Sequence, residues 1–140
     1  MNDRTLRAAL IALSLAGAAV AGYVLVSHWT DSGLICSTGG CETVQSSEYA
    51  KLLGLPVAAF GVSGYVLIAV AAALGTALAR VSAAALALGA AAFSGYLLVV
   101  QLAVIEAVCD WCVLNDVISS LVAAAALGWL LRADVSAARI

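Results

Sequence analysis

The residues with most chemistry to offer in this 140-residue chain are its four cysteines, which come in two pairs. One pair frames Cys109-Asp110-Trp111-Cys112, and the other, Cys36 and Cys41, encloses Ser37-Thr38-Gly39-Gly40. Cysteines three apart lie on the same side of a helix and can open and close a small disulfide ring. At a helix N-terminus, the positive end of the dipole favours the thiolate, which is the form that attacks disulfides. Asp110 pulls the other way. The two glycines between Cys36 and Cys41 leave that backbone mobile. A mobile pair can carry electrons through mixed disulfides between sites that never touch. Two other uses compete: structural staples of an oxidising compartment, or a zinc site made by all four cysteines, since both spacings fall in the zinc range. The only histidine, His28, reads as a solvated interfacial side chain.

The elements that must position these cysteines are membrane helices. The chain is 65% hydrophobic and only 10% charged, against about 25% charged in a soluble domain. Residues 8–27, 52–79, 81–105 and 117–131 are free of Asp, Glu, Lys and Arg. A span of the hydrocarbon core takes roughly 20 apolar residues, and backbone in lipid must pair within its own segment. The pattern predicts an all-α membrane protein, a four-helix bundle forming one domain over 1–140. Its helices fall at about residues 5–27, 56–79, 82–107 and 111–131, with a tight turn at Arg80 and an outer loop at 28–55. The small residues Gly61, Gly64, Gly89, Ala91 and Gly95 are read as packing positions, and Trp129 as an interfacial anchor. Arg4 and Arg7 before an apolar run and Ala19-Val20-Ala21 have the form of a secretory signal. The run continues through Val26, however, and removal would leave an odd number of spans, so it is read as a retained helix.

Orientation follows from the basic residues. With four spans, Arg4, Arg7, Arg80, Arg132 and Arg139 share one side and Lys51 stands alone on the other. Positive residues mark the cytoplasmic side. Both termini are therefore expected in the cytoplasm, and all four cysteines on the periplasmic or extracellular face of the inner membrane. Within the outer loop, Ser46-Ser47-Glu48 has the chemistry of a helix start. It predicts a short amphipathic helix presenting Tyr49, Leu52 and Leu53 on one face, stopped at Gly54 and followed by Pro56. Nothing suggests nucleic-acid binding.

The ordered set Cys36-x4-Cys41, residues 42–50 (Glu-Thr-Val-Gln-Ser-Ser-Glu-Tyr-Ala), Gly54-Leu55-Pro56 and Cys109-Asp110-Trp111-Cys112 resembles the bacterial vitamin K epoxide reductase family over nearly the whole chain. That resemblance implies a four-helix membrane enzyme that oxidises a thioredoxin-like protein and reduces a quinone. It implies that Cys109 and Cys112 are the pair beside the quinone, with Cys112 on the ring side and Cys109 exchanging with the loop. Cys36 and Cys41 then form the shuttle pair that meets the partner. Ser47 falls where the family has a serine near the active site, although a helix-capping role suits it equally. Many bacterial members carry a fused thioredoxin-like domain, whereas this chain stops at Ile140, so a separate, DsbA-like partner is expected. The polar residues with which the vertebrate branch holds vitamin K have no match here, which points to menaquinone or ubiquinone as acceptor.

Phe60, Gln101 and Ile105, with Cys112 and Ser47, are the candidates to line the quinone pocket. Gln101 and Ile105 share a helical face with Cys109 if the third helix extends that far. The expected function is a membrane thiol–quinone oxidoreductase driving disulfide formation. The alternative is a disulfide-stapled structural membrane protein without turnover.

Overall fold

A computed structural model describes residues 1–139. Four helices are long and apolar enough to cross a membrane, and they pack as a bundle. The first, α1 (Asp3–Trp29), is started by Asn2, whose Oδ1 accepts hydrogen bonds from the Thr5 N–H and hydroxyl, both at 2.8 Å. It packs against α3 (Val57–Leu74) and α5 (Asp110–Ala138), and α4 (Ala77–Val100) packs on α5 and α3. Helix α2 (Cys41–Gln45) lies in the long loop.

The helix boundaries differ from the expected ones for local reasons. Helix α3 stops at Leu74, not at residue 79, because Gly75 takes a left-handed conformation with φ of 69°. Thr76 then caps α4, its hydroxyl accepting from the Ala79 N–H at 3.1 Å. The inner turn is therefore Gly75-Thr76, and Arg80 belongs to the first turn of α4. Charge marked Arg80 as the break, but the stop and start signals lie before it. At the other end α4 does not continue to residue 107. It widens into a π-helical turn, Gln101–Ile105, and ends at Glu106, whose φ is 56°. Helix α5 continues through the polar residues beyond 131.

The long loop departs further. Its helix forms at Cys41–Gln45, earlier than Ser47, and residues Glu48–Ala50 make only one 3-10 turn. Two short strands follow, β1 (Lys51–Leu52) and β2 (Leu55–Pro56), paired antiparallel. Leu53 and Gly54 connect them, with φ of 54° and 81°. Two positive φ values in succession are the conformation of a tight hairpin turn, and so Gly54 ends no helix. The hairpin leaves Leu53 90% exposed, so the expected common face of Tyr49, Leu52 and Leu53 does not form.

Small side chains set the core. Ala72, Ala83, Ala84, Ala87 and Ala126 are buried with Leu10, Ile68, Val122 and Trp129. Close approach of α1 and α3 depends on Gly17, where an added Cβ would run into the Tyr65 ring. Gly61 faces the Ala21 Cβ, and Ala91 packs on the core, whereas Gly64, Gly89 and Gly95 look into open space rather than a partner helix. The outside of the bundle carries Leu67, Val70, Leu74, Leu78, Leu86 and Val99, all exposed. Such an apolar surface suits hydrocarbon, not water.

The end of the bundle that carries the termini is closed by polar bonds. Trp129 is fully buried there, not at an interface, and donates its indole N–H to Asp3 at 2.9 Å. Arg80 pairs with Asp3 at 3.2 Å, donates to the Trp129 carbonyl at 3.1 Å and lies 4.8 Å from the Trp129 ring centre. Arg7 donates to the carbonyls of Ala72 and Ala73 at 2.8 and 2.9 Å, satisfying the C-terminus of α3.

Candidate active site

All four cysteines meet at the opposite end. Cys36 and Cys41 are joined in a disulfide, while Cys109 and Cys112 are free thiols. Cys41 begins α2, buried against Cys109 and Val44, and Cys36, Cys112, Leu34, Ile105, Ala107 and Trp111 surround that cluster. Cys36 is the half-exposed member of its pair. The two cysteine pairs thus pack together in one cluster, with Cys41 and Cys109 buried in it and Cys36 half exposed at its edge.

The loop is pinned over the CxxC by bonds that pattern reading did not find. The Asp110 carboxylate accepts from the Ser37 N–H at 2.7 Å, and the Thr38 hydroxyl donates to the Val108 carbonyl at 2.8 Å. Trp111 donates its indole N–H to the Ile35 carbonyl at 2.6 Å, and the Ile35 N–H donates to the Tyr23 hydroxyl at 3.2 Å. The Tyr23 and Trp111 rings lie 4.6 Å apart. Gly40 presses on Val108 so closely that a Cβ would overlap its backbone. Asp110, whose charge opposes a thiolate beside it, also anchors the loop.

Cys109 is the residue before α5, and its sulfur serves as the cap. It accepts from the Cys112 N–H at 3.4 Å and from the Cys112 thiol at 2.7 Å. Those bonds, led by that of the Cys112 side chain, outweigh burial and lower the Cys109 thiol to about 7. Gln45, on α2, donates its amide to Cys112 at 3.2 Å and approaches Cys109 at 3.9 Å. The Cys109 N–H donates to the Gln101 side-chain oxygen at 2.9 Å, and Gln101 is only 2% exposed. Gln101 reaches Cys109 by way of the π-helical turn, since continuous α-helix does not run between them.

Below the CxxC, a cavity of about 230 Å³ opens between α1, α3, α4 and α5. Cys112, Ser47, Phe60, Gln101 and Ile105 all line it, and so do Gln45, Tyr65, Ser94, Asn115, Asp116 and Ser119. Ser47 caps no helix by its side chain; its hydroxyl donates to the Val44 carbonyl at 2.6 Å. Phe60 and Phe93 line the cavity and are also exposed on the flank of the bundle, so it meets the surrounding hydrocarbon there. Tyr65 donates to the Asn115 side-chain oxygen at 3.0 Å, and Ser94 hydrogen-bonds Asp116. Asn115 and Asp116 are polar positions early in the fourth span. Their position opposite Tyr65 and Ser94 depends on how α3, α4 and α5 meet, for which local sequence carries no signal. Among the described residues, no group of three or more His, Cys, Asp or Glu side chains could hold a metal ion.

A four-helix membrane bundle with a disulfide stacked on a dithiol at one end is the architecture of a membrane redox protein. The model of the vitamin K epoxide reductase family matches residues 8–127, and the chain belongs to that family. No curated protein matches it. Family membership makes it a membrane oxidoreductase.

Proposed function

We propose that the protein is a thiol–quinone oxidoreductase that reoxidises a thioredoxin-like partner outside the cytoplasm. The observation that carries this reading is the stacking of two redox pairs, Cys41 on Cys109, above a cavity lined by Cys112. The Cys109 and Cys112 sulfurs lie side by side, 2.7 Å apart, in position to open and close a bond between them. The bias of Arg4, Arg7, Arg80, Arg132 and Arg139 against Lys51 supports cytoplasmic termini and an outward cysteine end, in a single domain over 1–140.

The route follows from exposure. A partner thiolate attacks the half-exposed Cys36, and a second partner thiol releases it, leaving Cys36 and Cys41 reduced. Cys41 attacks Cys109 of the closed CxxC, so the Cys109–Cys112 bond breaks and a Cys41–Cys109 bond forms. Cys36 then attacks Cys41, which restores the loop disulfide and frees the Cys109 thiolate. Closing the loop pair and opening the CxxC completes this transfer. A bound menaquinone or ubiquinone supplies a two-electron, two-proton sink.

The residues fit such a group. The cavity is smaller than the ~300–1,000 Å³ of a drug-sized site, which suits a flat ring with its prenyl chain outside in lipid. Its walls are mainly apolar, and Cys112, Gln45 and Gln101 stand on its cysteine side. Gln45 and Gln101 hold the two cysteines in place through Cys112 Sγ and the Cys109 N–H.

Trapping tests both function and order. With Cys36 and Cys112 replaced by Ala, Cys41 and Cys109 should lock in a mixed disulfide, visible as a mobility shift without reductant. Replacing Cys41 and Cys112 should give none. Cys112→Ala should also abolish reduction of menadione or a short-chain ubiquinone by a dithiol, and retained turnover would sink the assignment.

A further inference from the structure

We propose that Gln45 is a positioning residue that makes the reactivity of Cys112 depend on the loop lying docked, a role whose use in turnover rests on the quinone reading above. Gln45 follows Cys41 by four residues on the five-residue helix α2, so the two share one face. Cys41 is buried there in the cluster with Cys109. Gln45 brings its amide nitrogen to 3.2 Å from Cys112 Sγ and 3.9 Å from Cys109 Sγ. Among the described residues, it is the one side chain outside the CxxC that hydrogen-bonds either sulfur.

The two CxxC sulfurs share a proton. The Cys112 thiol donates to Cys109 Sγ at 2.7 Å, and the sulfur without the proton carries the charge. On Cys109 that charge is held by the Cys112 N–H at 3.4 Å. On Cys112 it meets the Gln45 amide, to which Cys112 is the nearer sulfur. Moving the proton from Cys112 to Cys109 breaks one S–H bond and forms the other, so no proton enters or leaves the pair. A hydrogen bond to a charged group is about twice as strong as one between neutral groups, so the amide favours charge on Cys112. The thiolate is the attacking form. Cys112 lines the cavity, whereas Cys109 is buried at 0% exposure in the cluster with Cys41. Charge on Cys112 therefore serves the cavity, and charge on Cys109 serves exchange with the loop.

Carrying Cys41 and Gln45 on one short helix ties those two outcomes together. Cys41 and Val44 bury α2 in the cysteine cluster, and the Ser37–Asp110 and Thr38–Val108 bonds hold the chain just before it. When the loop lifts to meet a partner, the amide leaves with it, and the charge settles on Cys109 under the Cys112 N–H. With the loop down, the amide is back on Cys112 and the pair is set to act on the cavity. The loop thus times both transfers while making no covalent bond to Cys112.

The test uses full-length protein in detergent, reduced with dithiothreitol and then freed of it. Gln45→Leu keeps the size of the side chain and removes the donor, whereas Gln45→Glu keeps its shape and sets a negative charge beside the sulfur. With iodoacetamide and no acceptor, Cys112 alkylation in Gln45→Leu should slow by about tenfold, the scale of a lost hydrogen bond to a charged group. Cys109 alkylation, read in the same mass spectra, should not slow. Single-turnover reduction of menadione should fall in the order wild type, Gln45→Leu, Gln45→Glu. A side chain that only fills space gives the reverse order for the two variants, and a loosened site gives faster alkylation of both cysteines. The added methyl group of Gly40→Ala would overlap the Val108 backbone and raise the loop. In that background Gln45→Leu should slow Cys112 alkylation by no more than about twofold, because coupled sites are not additive. Unchanged Cys112 alkylation, equal slowing of both cysteines, Gln45→Glu turning over faster than Gln45→Leu, or an undiminished loss in the Gly40→Ala background would each overturn the proposal. If wild type itself reduces no menadione, the quinone reading fails, and the alkylation rates still decide whether Gln45 governs Cys112.

Discussion

Cys109 is poised by its own partner. The Cys112 thiol, 2.7 Å away, and the Cys112 N–H stabilise a Cys109 thiolate against the burial that disfavours it. A thiol lowered to about 7 is half ionised near neutral pH, so it attacks disulfides readily and is also a good leaving group. The pH dependence has a definite sign. Thiolate absorbance of the reduced protein should rise with a midpoint near pH 7, and exchange through Cys109 should slow as pH falls below it. In Cys112→Ala the bond that lowers Cys109 is gone, and the midpoint should move upward. An unshifted midpoint would show that the helix terminus alone sets the thiolate. The CxxC spacing made this chemistry readable in the sequence. Gln45 and Gln101 were less so: Gln101 was a candidate for the pocket, but its bond to the Cys109 N–H needs the π-helical turn.

At the scale of elements, the loop behaves as a latched cover. Ser37–Asp110, Thr38–Val108 and Trp111–Ile35 tie its first half to the start of α5, and Gly40 lets it lie flat on Val108. These contacts hold Cys41 over Cys109 and leave Cys36 toward solvent. Gly40→Ala puts a methyl group where the Val108 backbone already is, so the cover must lift. We expect faster alkylation of Cys109 and at least about a tenfold slower transfer from the loop pair to the CxxC, because a displacement near 1 Å can remove two orders of magnitude from an oriented step. Rapid-quench alkylation followed by mass spectrometry measures both. The loop does hold a helix, but not at the residues whose local chemistry points to one. Ser47 and Glu48 have capping chemistry, but burying Cys41 and Val44 against Cys109 forms the helix at residues 41–45.

At the scale of the whole molecule, the two ends serve different purposes. The cysteine end is held by a loop whose bonds can part, while the other end is fixed by Arg80, Asp3 and Trp129 across α1, α4 and α5. Arg80→Met keeps the length of the side chain and removes its charge. It should destabilise the bundle by about 2–4 kcal/mol, the combined scale of a charged hydrogen bond and a cation–π contact. Thermal unfolding in detergent would register it, with quinone reduction at low temperature little changed.

The sequence by itself determined the four spans, the distribution of basic residues and the pairing of chemistry into a loop pair and a CxxC. Hydrophobic runs and short cysteine spacings are local properties, and local properties are written in the order of residues. Only the tertiary structure decided that Gly75-Thr76 rather than Arg80 turns the chain, that Trp129 is core, and that Cys41 is buried in one cluster with Cys109. It alone brought Asp116 to Ser94 and to the cavity below Cys112. Those outcomes depend on which helix faces meet, and that is set by small residues such as Gly17 letting particular faces approach, over separations that no periodicity records.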